Sequence, residues 1–329
     1  MQRTTERDVP PTMKAAAIDR FGPPSVLKLH ELPTPEPELD QILIALHTAG
    51  VGSWDTAMRE GEWRPPGRAR FPRVLGLDGA GVVAAKGKRV RRFAVGDRVW
   101  AYDYDHAGFE AQYVAVDADN AGRVPKRMTL RAAGAGAVTG LTALQGVVDH
   151  AKVRRGETVL IFGATGAVGT LAVQFAASRG ARVIATATGR KAASLVRSLG
   201  ADAAIDARSD DAVDALNAAA PNGVDVVLAF AGGQELERLL DVMPRGGRVV
   251  YPNGIEPEPK RRKGIRMRGY DAAVGPAEFT RLSQAAEHAR LRVPIAGKYS
   301  LSRAADAHRR IEHNHVLGRV VLSVRRGES

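Results

Sequence analysis

The sequence predicts an α/β protein in which a doubly wound parallel sheet is joined to a second, β-rich domain. Its 329 residues, 44% of them hydrophobic, are enough to form two cores. Before about residue 126 the chain carries short apolar runs bounded by turns, which is typical of β structure. From residue 130 onward strands alternate with helices, and such a succession produces right-handed crossovers between parallel strands.

The β-rich domain is predicted from both ends of the chain. Strands are expected at 41–50, 79–85, 98–101 and 109–116. After Gly275 we expect an amphipathic helix over 276–291, a strand at 299–301, a helix over 304–312 and a strand over 319–324. This return to mixed structure suggests that the end of the chain packs on the first part. We therefore predict one domain from 1–127 and 275–329, and the other from 128–274.

The parallel sheet is predicted from apolar segments that are separated by helical ones. Its strands are expected at 158–162, 182–187, 224–230 and 247–252, with 265–270 as a further strand. An alanine-rich helix that begins near Leu130 precedes the series. Strands and helices of these lengths favour βαβ units.

The composition excludes several kinds of chemistry. The chain has no cysteine, which excludes disulfides, thiolate nucleophiles and cysteine-ligated metal sites. No apolar run reaches the roughly 20 residues that a membrane-spanning helix needs, and the first residues are polar rather than signal-like. We therefore expect a cytoplasmic protein whose redox chemistry would use an organic cofactor.

The formal charge of +12 raises the question of an anionic partner. Basic residues cluster at 86–92 and at 260–268. We interpret both clusters as solvated surface, because charge runs without a motif are common. Attraction of an anionic cofactor or substrate is an alternative. Nucleic-acid binding is expected to be absent, since no recognisable nucleic-acid motif accompanies the charge.

The strongest motif lies between the strand 158–162 and a following alanine-rich helix. It has the spacing G-x-x-G-x-x-G and consists of Gly163, Ala164, Thr165, Gly166, Ala167, Val168 and Gly169. Glycine lets the backbone turn sharply and approach a pyrophosphate, while a helix N-terminus offers free amide donors and partial positive charge. Glycines also mark plain turns, but this position between strand and helix predicts dinucleotide binding.

The end of the next strand predicts which dinucleotide is bound. An NAD-preferring site carries a carboxylate about 20 residues after the glycines. Here that position reads Thr188, Gly189, Arg190, Lys191, without an acid. Because two cations and a hydroxyl suit a 2′-phosphate, we expect NADPH. The alternative is that Arg190 and Lys191 are only solvated residues at the start of a helix.

Several strings together resemble a known family in order and spacing. They are LGLDGAGVV, GDRVWAY, FEAQYVAV, GLTAL, the Gly163 loop, GVDVVL, GGRVVY and HRRIEHNHVLGRVVLSV. From Met13 to Val324 the chain resembles the zinc-free quinone oxidoreductase branch of the medium-chain dehydrogenase/reductase superfamily. The resemblance implies a GroES-like catalytic domain, a Rossmann domain that binds NADPH, and homodimers joined through the edge of the Rossmann sheet.

The resemblance also implies which residues contact the cofactor, mostly at strand ends where doubly wound sheets bind ligands. Thr142 would lie near the nicotinamide and Arg319 near the pyrophosphate. The full set implied is Thr142, Phe230, Ala231, Tyr251, Asn253, Gly254 and Arg319. Each also has a purely structural interpretation, as a helix cap, a packed aromatic or a surface charge.

The zinc ligands of related alcohol dehydrogenases have no counterparts here. Their positions correspond to Ser53 and to Leu77 with Asp78, and a leucine side chain cannot ligate zinc. Without a Lewis acid, reduction of a conjugated acceptor is the chemistry that remains. The candidates that donate a proton to such an acceptor are Ser53, Tyr102 and Tyr104.

These observations favour an NADPH-dependent reductase of quinones or α,β-unsaturated carbonyl compounds. Its partner would be a small-molecule substrate, and no membrane association is expected. One alternative is an enoyl-thioester reductase. Another, from a different class, is an RNA-binding protein that also binds a nucleotide cofactor.

Overall fold

A computed structural model describes residues 9–63, 70–105, 108–313 and 316–325. The chain divides into two compact units. The first unit comprises Met1–Val138, Val274–Gln284 and Val293–Ser329, and the second comprises Thr139–Ala273 and Ala285–Arg292. Residues 128–138 belong to the first unit because the helix there lies against a strand of that unit: a Cβ on Gly134 would stand 2.4 Å from the Thr48 carbonyl oxygen.

The described residues form sixteen strands and eight α-helices. The elements up to residue 145 are β1 Thr12–Ile18, β2 Leu27–Pro33, β3 Gln41–Val51, α1 Ser53–Glu60, β4 Arg73–Val74, β5 Asp78–Lys86, β6 Arg98–Tyr102, β7 Tyr113–Asp117, β8 Ala121–Arg123 and α2 Leu130–Gln145. The next are β9 Thr158–Phe162, α3 Ala167–Ser178, β10 Arg182–Thr186, α4 Arg190–Ser198, β11 Ala203–Ile205, α5 Ala212–Ala219, β12 Val226–Ala229, α6 Gln234–Asp241, β13 Arg248–Pro252 and β14 Arg266–Tyr270. The last are α7 Pro276–His288, β15 Ile295–Ser300, α8 Ala304–His313 and β16 Arg319–Ser323.

The first unit is built on a seven-stranded sheet. Its order is β15-β16-β3-β5-β6-β8, and β7 also pairs with β3. A smaller sheet has the order β2-β1-β4. Strand β3 is buried along almost its whole length, and Ile42, Ile44 and Leu46 belong to the largest core cluster. Strand β16 pairs with β3, so the first and the last part of the chain both contribute to this sheet.

The predicted strand at 109–116 is correct only from Tyr113 onward. The preceding residues bond to two different parts of the chain. The Glu110 amide donates to the Leu75 carbonyl, and the Ala16 amide donates to the Glu110 carbonyl. Because these bonds do not form one ladder, the segment is buried without being part of a regular strand.

The second unit contains a six-stranded sheet with the order β11-β10-β9-β12-β13-β14. Every pair in it is parallel. Helices α3, α4, α5 and α6 connect β9 to β13, while β13 runs to β14 through a loop. The sheet is doubly wound, with the change of direction between β9 and β12. This confirms the predicted α/β fold class, and β14 confirms the strand expected at 265–270. Across the described residues, no helix is both long and apolar enough to cross a bilayer.

Candidate functional site

The glycine motif forms the turn between β9 and α3. Gly163 directly follows β9 and has a φ of +74°, which favours glycine. The helix begins at Ala167 after Gly166, and no side chain among the described residues caps it. The first amides of α3 are therefore available to a ligand, and the helix dipole favours an anion there.

Gly169 allows the loop to lie directly on the helix. A Cβ at this position would stand 2.2 Å from the Gly163 carbonyl oxygen and 2.7 Å from the Ala164 Cα. The Gly163 amide also donates to Thr186 Oγ1 at 3.0 Å, which ties the loop to the end of β10. These contacts fix the position of the loop between β9 and the start of α3.

Two of the expected cofactor residues lie directly beside this loop. The Phe230 amide donates to the Phe162 carbonyl at 3.0 Å. A Cβ on Gly163 would stand 3.3 Å from the Phe230 backbone and 3.5 Å from the Ala231 amide. The ends of β9 and β12 are therefore adjacent, at the point where doubly wound sheets bind their ligands.

The end of β10 carries the residues expected to select the cofactor. Thr188, Arg190 and Lys191 are all exposed, and the two cations open α4. The end of β10 carries no acid itself, but an acid from the neighbouring strand lies beside it. Thr188 Oγ1 donates to Asp206 Oδ1 at 2.9 Å. Asp206 follows β11, a parallel neighbour of β10, so both residues lie at the same edge of the sheet.

Most of the other residues of the second unit that were expected to contact the cofactor form hydrogen bonds within the protein. Tyr251 is 7% exposed, and its hydroxyl donates to Glu258 Oε1 at 2.6 Å. That hydrogen bond raises the pKa of the Tyr251 phenol. Asn253 Nδ2 donates to Asp271 Oδ2 at 2.8 Å, and the Thr142 carbonyl accepts from the Tyr270 hydroxyl. Gly254 follows with a φ of +83°.

The three candidate proton donors belong to the first unit. Ser53 is the first residue of α1 and is exposed. Tyr102 ends β6 and is partly buried against the core. Tyr104 is 50% exposed, and its ring centroid lies 4.9 Å from that of Trp63. Their catalytic roles stay predictions.

Arg319 lies in the first unit, where it forms a buried ion pair. Its Nη2 donates to Asp78 Oδ1 at 2.7 Å, and the two side chains are 2% and 0% exposed. The guanidinium also lies 4.9 Å above the Trp54 ring. The surface-charge interpretation of Arg319 is therefore wrong. Its predicted contact with a pyrophosphate stays a prediction.

Comparisons with known proteins agree with this architecture. Residues 38–126 match the alcohol dehydrogenase GroES-like domain, and residues 199–322 match the zinc-binding dehydrogenase model. A quinone oxidoreductase from Sus scrofa is 31% identical over 323 residues, which cover 94% of this chain and 97% of that protein.

The chain belongs to the quinone oxidoreductase family of the medium-chain dehydrogenase/reductase superfamily.

Two solved structures support the assignment. An NAD-dependent alcohol dehydrogenase matches with a TM-score of 0.88 and 29% identity, over 95% of this chain and 100% of that one. The Escherichia coli quinone oxidoreductase complexed with NADPH matches with a TM-score of 0.83 and 25% identity, over 94% of this chain and 99% of that one. The predicted GroES-like and Rossmann folds are confirmed, and the chain is an NAD(P)-dependent oxidoreductase.

The residues of this oxidoreductase do not fit the zinc ion that one of the matched models implies. Leu77 has no ligand atom, and the Asp78 carboxylate is already taken up by Arg319 and by the Val138 amide. Within the ranges that the structure describes, no three His, Asp or Glu side chains are grouped so as to hold a metal ion.

A second buried charge cluster in this oxidoreductase was missed from the sequence. His308 Nε2 lies 2.9 Å from Glu110 Oε1, and both side chains are fully buried. Arg59, also buried, lies 3.3 Å from His308 Nδ1 and pairs with Glu312 at 2.6 Å. Asp55 accepts from the Gly52 amide at the start of α1. The one available signal was an acid, Glu110, inside a segment predicted to be a strand.

Burial perturbs the titration of this cluster. Desolvation, then the nearby Glu110 carboxylate, raises the pKa of Asp55 to about 8, against the opposing effects of His308, Arg319 and the Gly52 amide. Desolvation alone would lower the pKa of His308. The charge and hydrogen bond of Glu110, together with Asp55, outweigh it and raise that pKa.

These shifts predict that stability falls as the pH rises. Asp55 keeps its proton in the folded state up to about pH 8 but loses it near 3.8 when unfolded, so folding is progressively disfavoured between these values. The contribution of His308 has the same sign, because its raised pKa stabilises the fold at low pH and is lost as the pH rises. We expect a lower melting temperature at pH 8.5 than at pH 6, and a smaller difference in Asp55→Asn. An equal difference in that variant would show that Asp55 is not responsible.

Proposed function

We propose that this oxidoreductase uses NADPH to reduce quinones or α,β-unsaturated carbonyl compounds, by direct hydride transfer and without zinc. The observation that carries the proposal is the Gly163–Gly169 loop, which leads from β9 into the uncapped start of α3. Two similar proteins support it: the quinone oxidoreductase from Sus scrofa, and the Escherichia coli quinone oxidoreductase, whose structure was solved in complex with NADPH. The homodimer and the cytoplasmic location stay predictions.

The residues of the chain would divide the binding of NADPH between them. Amides of the loop and of the first turn of α3 would hold the pyrophosphate. Arg190 and Lys191 would hold the 2′-phosphate, since both are exposed at the end of β10. The strand-end residues Phe230 and Ala231 would line the cofactor beside the loop. The further contacts proposed are Thr142, Tyr251, Asn253, Gly254 and Arg319.

NADPH, when bound, would supply a hydride from C4 of its nicotinamide. The acceptor gains two electrons with that hydride, and its negative charge spreads over an enolate or a hydroquinone oxygen. A proton then completes the reduction. We propose that it comes from Ser53, Tyr102 or Tyr104, whose hydroxyls can pass on a proton from solvent. No Lewis acid is needed, because the acceptor itself delocalises the charge.

A reductase assay tests this function. The purified chain is incubated with NADPH and a panel of quinones and enones, and the loss of absorbance at 340 nm is followed. We expect turnover with several of these acceptors and little with simple alcohols and NADP. Absence of turnover together with absence of binding to NADPH and NADH would overturn the proposal.

The cations at the start of α4 provide a separate prediction. The double variant Arg190→Gln with Lys191→Gln is expected to weaken binding of NADPH about tenfold, because two charge-assisted contacts to phosphate are lost. Binding of NADH should change less than twofold. Arg197→Gln, in the last turn of the same helix, is the matched control. Equal weakening of both cofactors, measured by fluorescence titration, would contradict the assignment.

A further inference from the structure

Asp206 places a negative charge among the residues expected to bind the adenosine end of the cofactor. It follows β11, which pairs with β10 so that Thr186 lies opposite Ile205. Because the two strands are parallel, Thr188 and Asp206 both lie just beyond the carboxyl end of the sheet. The distance of 2.9 Å between Thr188 Oγ1 and Asp206 Oδ1 shows that the two side chains are in direct contact.

The carboxylate has a defined orientation. Its Oδ1 also accepts from the Arg208 amide at 3.0 Å, which forms a local turn after β11. The residue is partly buried, whereas Thr188 and Lys191 are exposed. Asp206 is therefore held beside the hydroxyl of Thr188 rather than extended into solvent.

This contact restricts what Thr188 can offer a ligand. A threonine hydroxyl has one proton to donate, and here it is donated to Asp206. A phosphate only accepts hydrogen bonds, so Thr188 cannot donate to it while the contact persists. A ribose hydroxyl, in contrast, can donate to the carboxylate or to the Thr188 oxygen. The fixed charge also repels a dianionic phosphate, against the attraction of Arg190 and Lys191.

We propose that Asp206 is a specificity-determining residue that restrains the preference for a 2′-phosphate, so that the site accepts NADH as well as NADPH. This inference rests on the proposed function, because it requires that the adenosine ribose binds at the end of β10. The cations and the carboxylate act in opposite directions there, and the preference between NADPH and NADH is set by their balance.

The test is the ratio of kcat/KM for NADPH to kcat/KM for NADH, measured with one quinone at about physiological ionic strength. In the wild-type chain we expect this ratio to be below about 30. Asp206→Asn should raise it about five- to tenfold, since a repulsive unit charge is removed at close range. The asparagine oxygen can still accept from the Arg208 amide, so the turn is kept.

Asp202→Asn is the matched control. Asp202 lies at the opposite end of β11, where its carboxylate accepts from the Val183 amide. An asparagine oxygen can keep that bond as well, so the same charge is removed from the same strand. Because Asp202 lies at the far end of the strand from the proposed ribose site, Asp202→Asn should change the kcat/KM ratio less than twofold. Exposed charges that are more than about 8 Å apart are largely screened from each other at physiological ionic strength.

A second measurement does not depend on turnover. Dissociation constants for 2′,5′-ADP and 5′-AMP are compared by calorimetry, and Asp206→Asn should strengthen binding of 2′,5′-ADP alone. If Asp206→Asn does not fold, Asp206→Ser removes the charge and keeps an acceptor for the turn. The inference is overturned if Asp206→Asn changes the kcat/KM ratio, or the ratio of the two dissociation constants, by less than threefold. It is also overturned if Asp202→Asn changes these ratios as much as Asp206→Asn does. If the wild-type chain binds neither dinucleotide, the proposed function itself fails.

Discussion

Gly169→Ala is expected to weaken binding of NADPH by about 100-fold, or about 2.8 kcal/mol, because the backbone amides that would hold the pyrophosphate are displaced. The added Cβ would stand 2.2 Å from the Gly163 carbonyl oxygen, and all three neighbouring atoms within 3 Å belong to backbone. The loop must therefore move away from α3. Its amides then no longer converge on a pyrophosphate. Fluorescence titration with NADPH measures the loss.

Gly166→Ala is the matched control for folding. Gly166 has a φ of −75°, which any residue adopts, and its Cβ would stand 3.5 Å from the nearest atom, the Gly163 carbonyl oxygen. We expect its melting temperature to stay within about 3 °C of the wild type, since the cost is only that of a poorer helix cap. Gly169→Ala should melt at a clearly lower temperature. If Gly169→Ala binds NADPH as tightly as the wild type, the loop is not the pyrophosphate site.

Arg319→Met is expected to lower the free energy of unfolding by about 3–5 kcal/mol, the cost typical of leaving one partner of a buried ion pair without the other. Asp78 is 0% exposed and would keep only the Val138 amide as a described partner. The ion pair lies across Gly50 of β3, the strand between β16 and β5, since a Cβ on Gly50 would stand 2.4 Å from Arg319 Nη2 and 2.5 Å from Asp78 Oδ1. Urea denaturation provides the measurement.

The double variant Asp78→Asn with Arg319→Met separates the charge from the packing. With both charges removed, about half or more of the lost stability should return, because no unpaired ion is left buried. A double variant as unstable as Arg319→Met would show that shape rather than charge is responsible. Binding of NADPH by the double variant also tests whether Arg319 contacts the cofactor.

Most of the secondary structure could be predicted because its signals are local. Strand β9, the glycine turn and helix α3 occupy one short stretch of chain, and apolar periodicity with three glycines predicts all of them. The strand at 265–270 was found in the same way. The segment at 109–112 could not be found, because its backbone bonds to residues near 16 and 75 rather than to one neighbouring strand.

Only part of the candidate cofactor site could be predicted from the sequence. The loop and the strand ends at Thr188 and Phe230 follow from the order of strands in a doubly wound sheet. Asp206 did not, although it is in contact with Thr188. It follows a strand of only three residues, β11, whose apolar pattern is too short to be recognised.

The sequence by itself determined the alternation of strands and helices, the glycine loop, and the lack of cysteine and of a complete zinc ligand set, because each depends on residues close together in the chain or on composition. Only the tertiary structure decided the polar contacts. Thr188 meets Asp206 across 18 residues, Glu110 meets His308 across 198, and Asp78 meets Arg319 across 241. No local pattern encodes such pairs, because the folded sheets bring their side chains together and burial, which depends on the whole core, sets their charges.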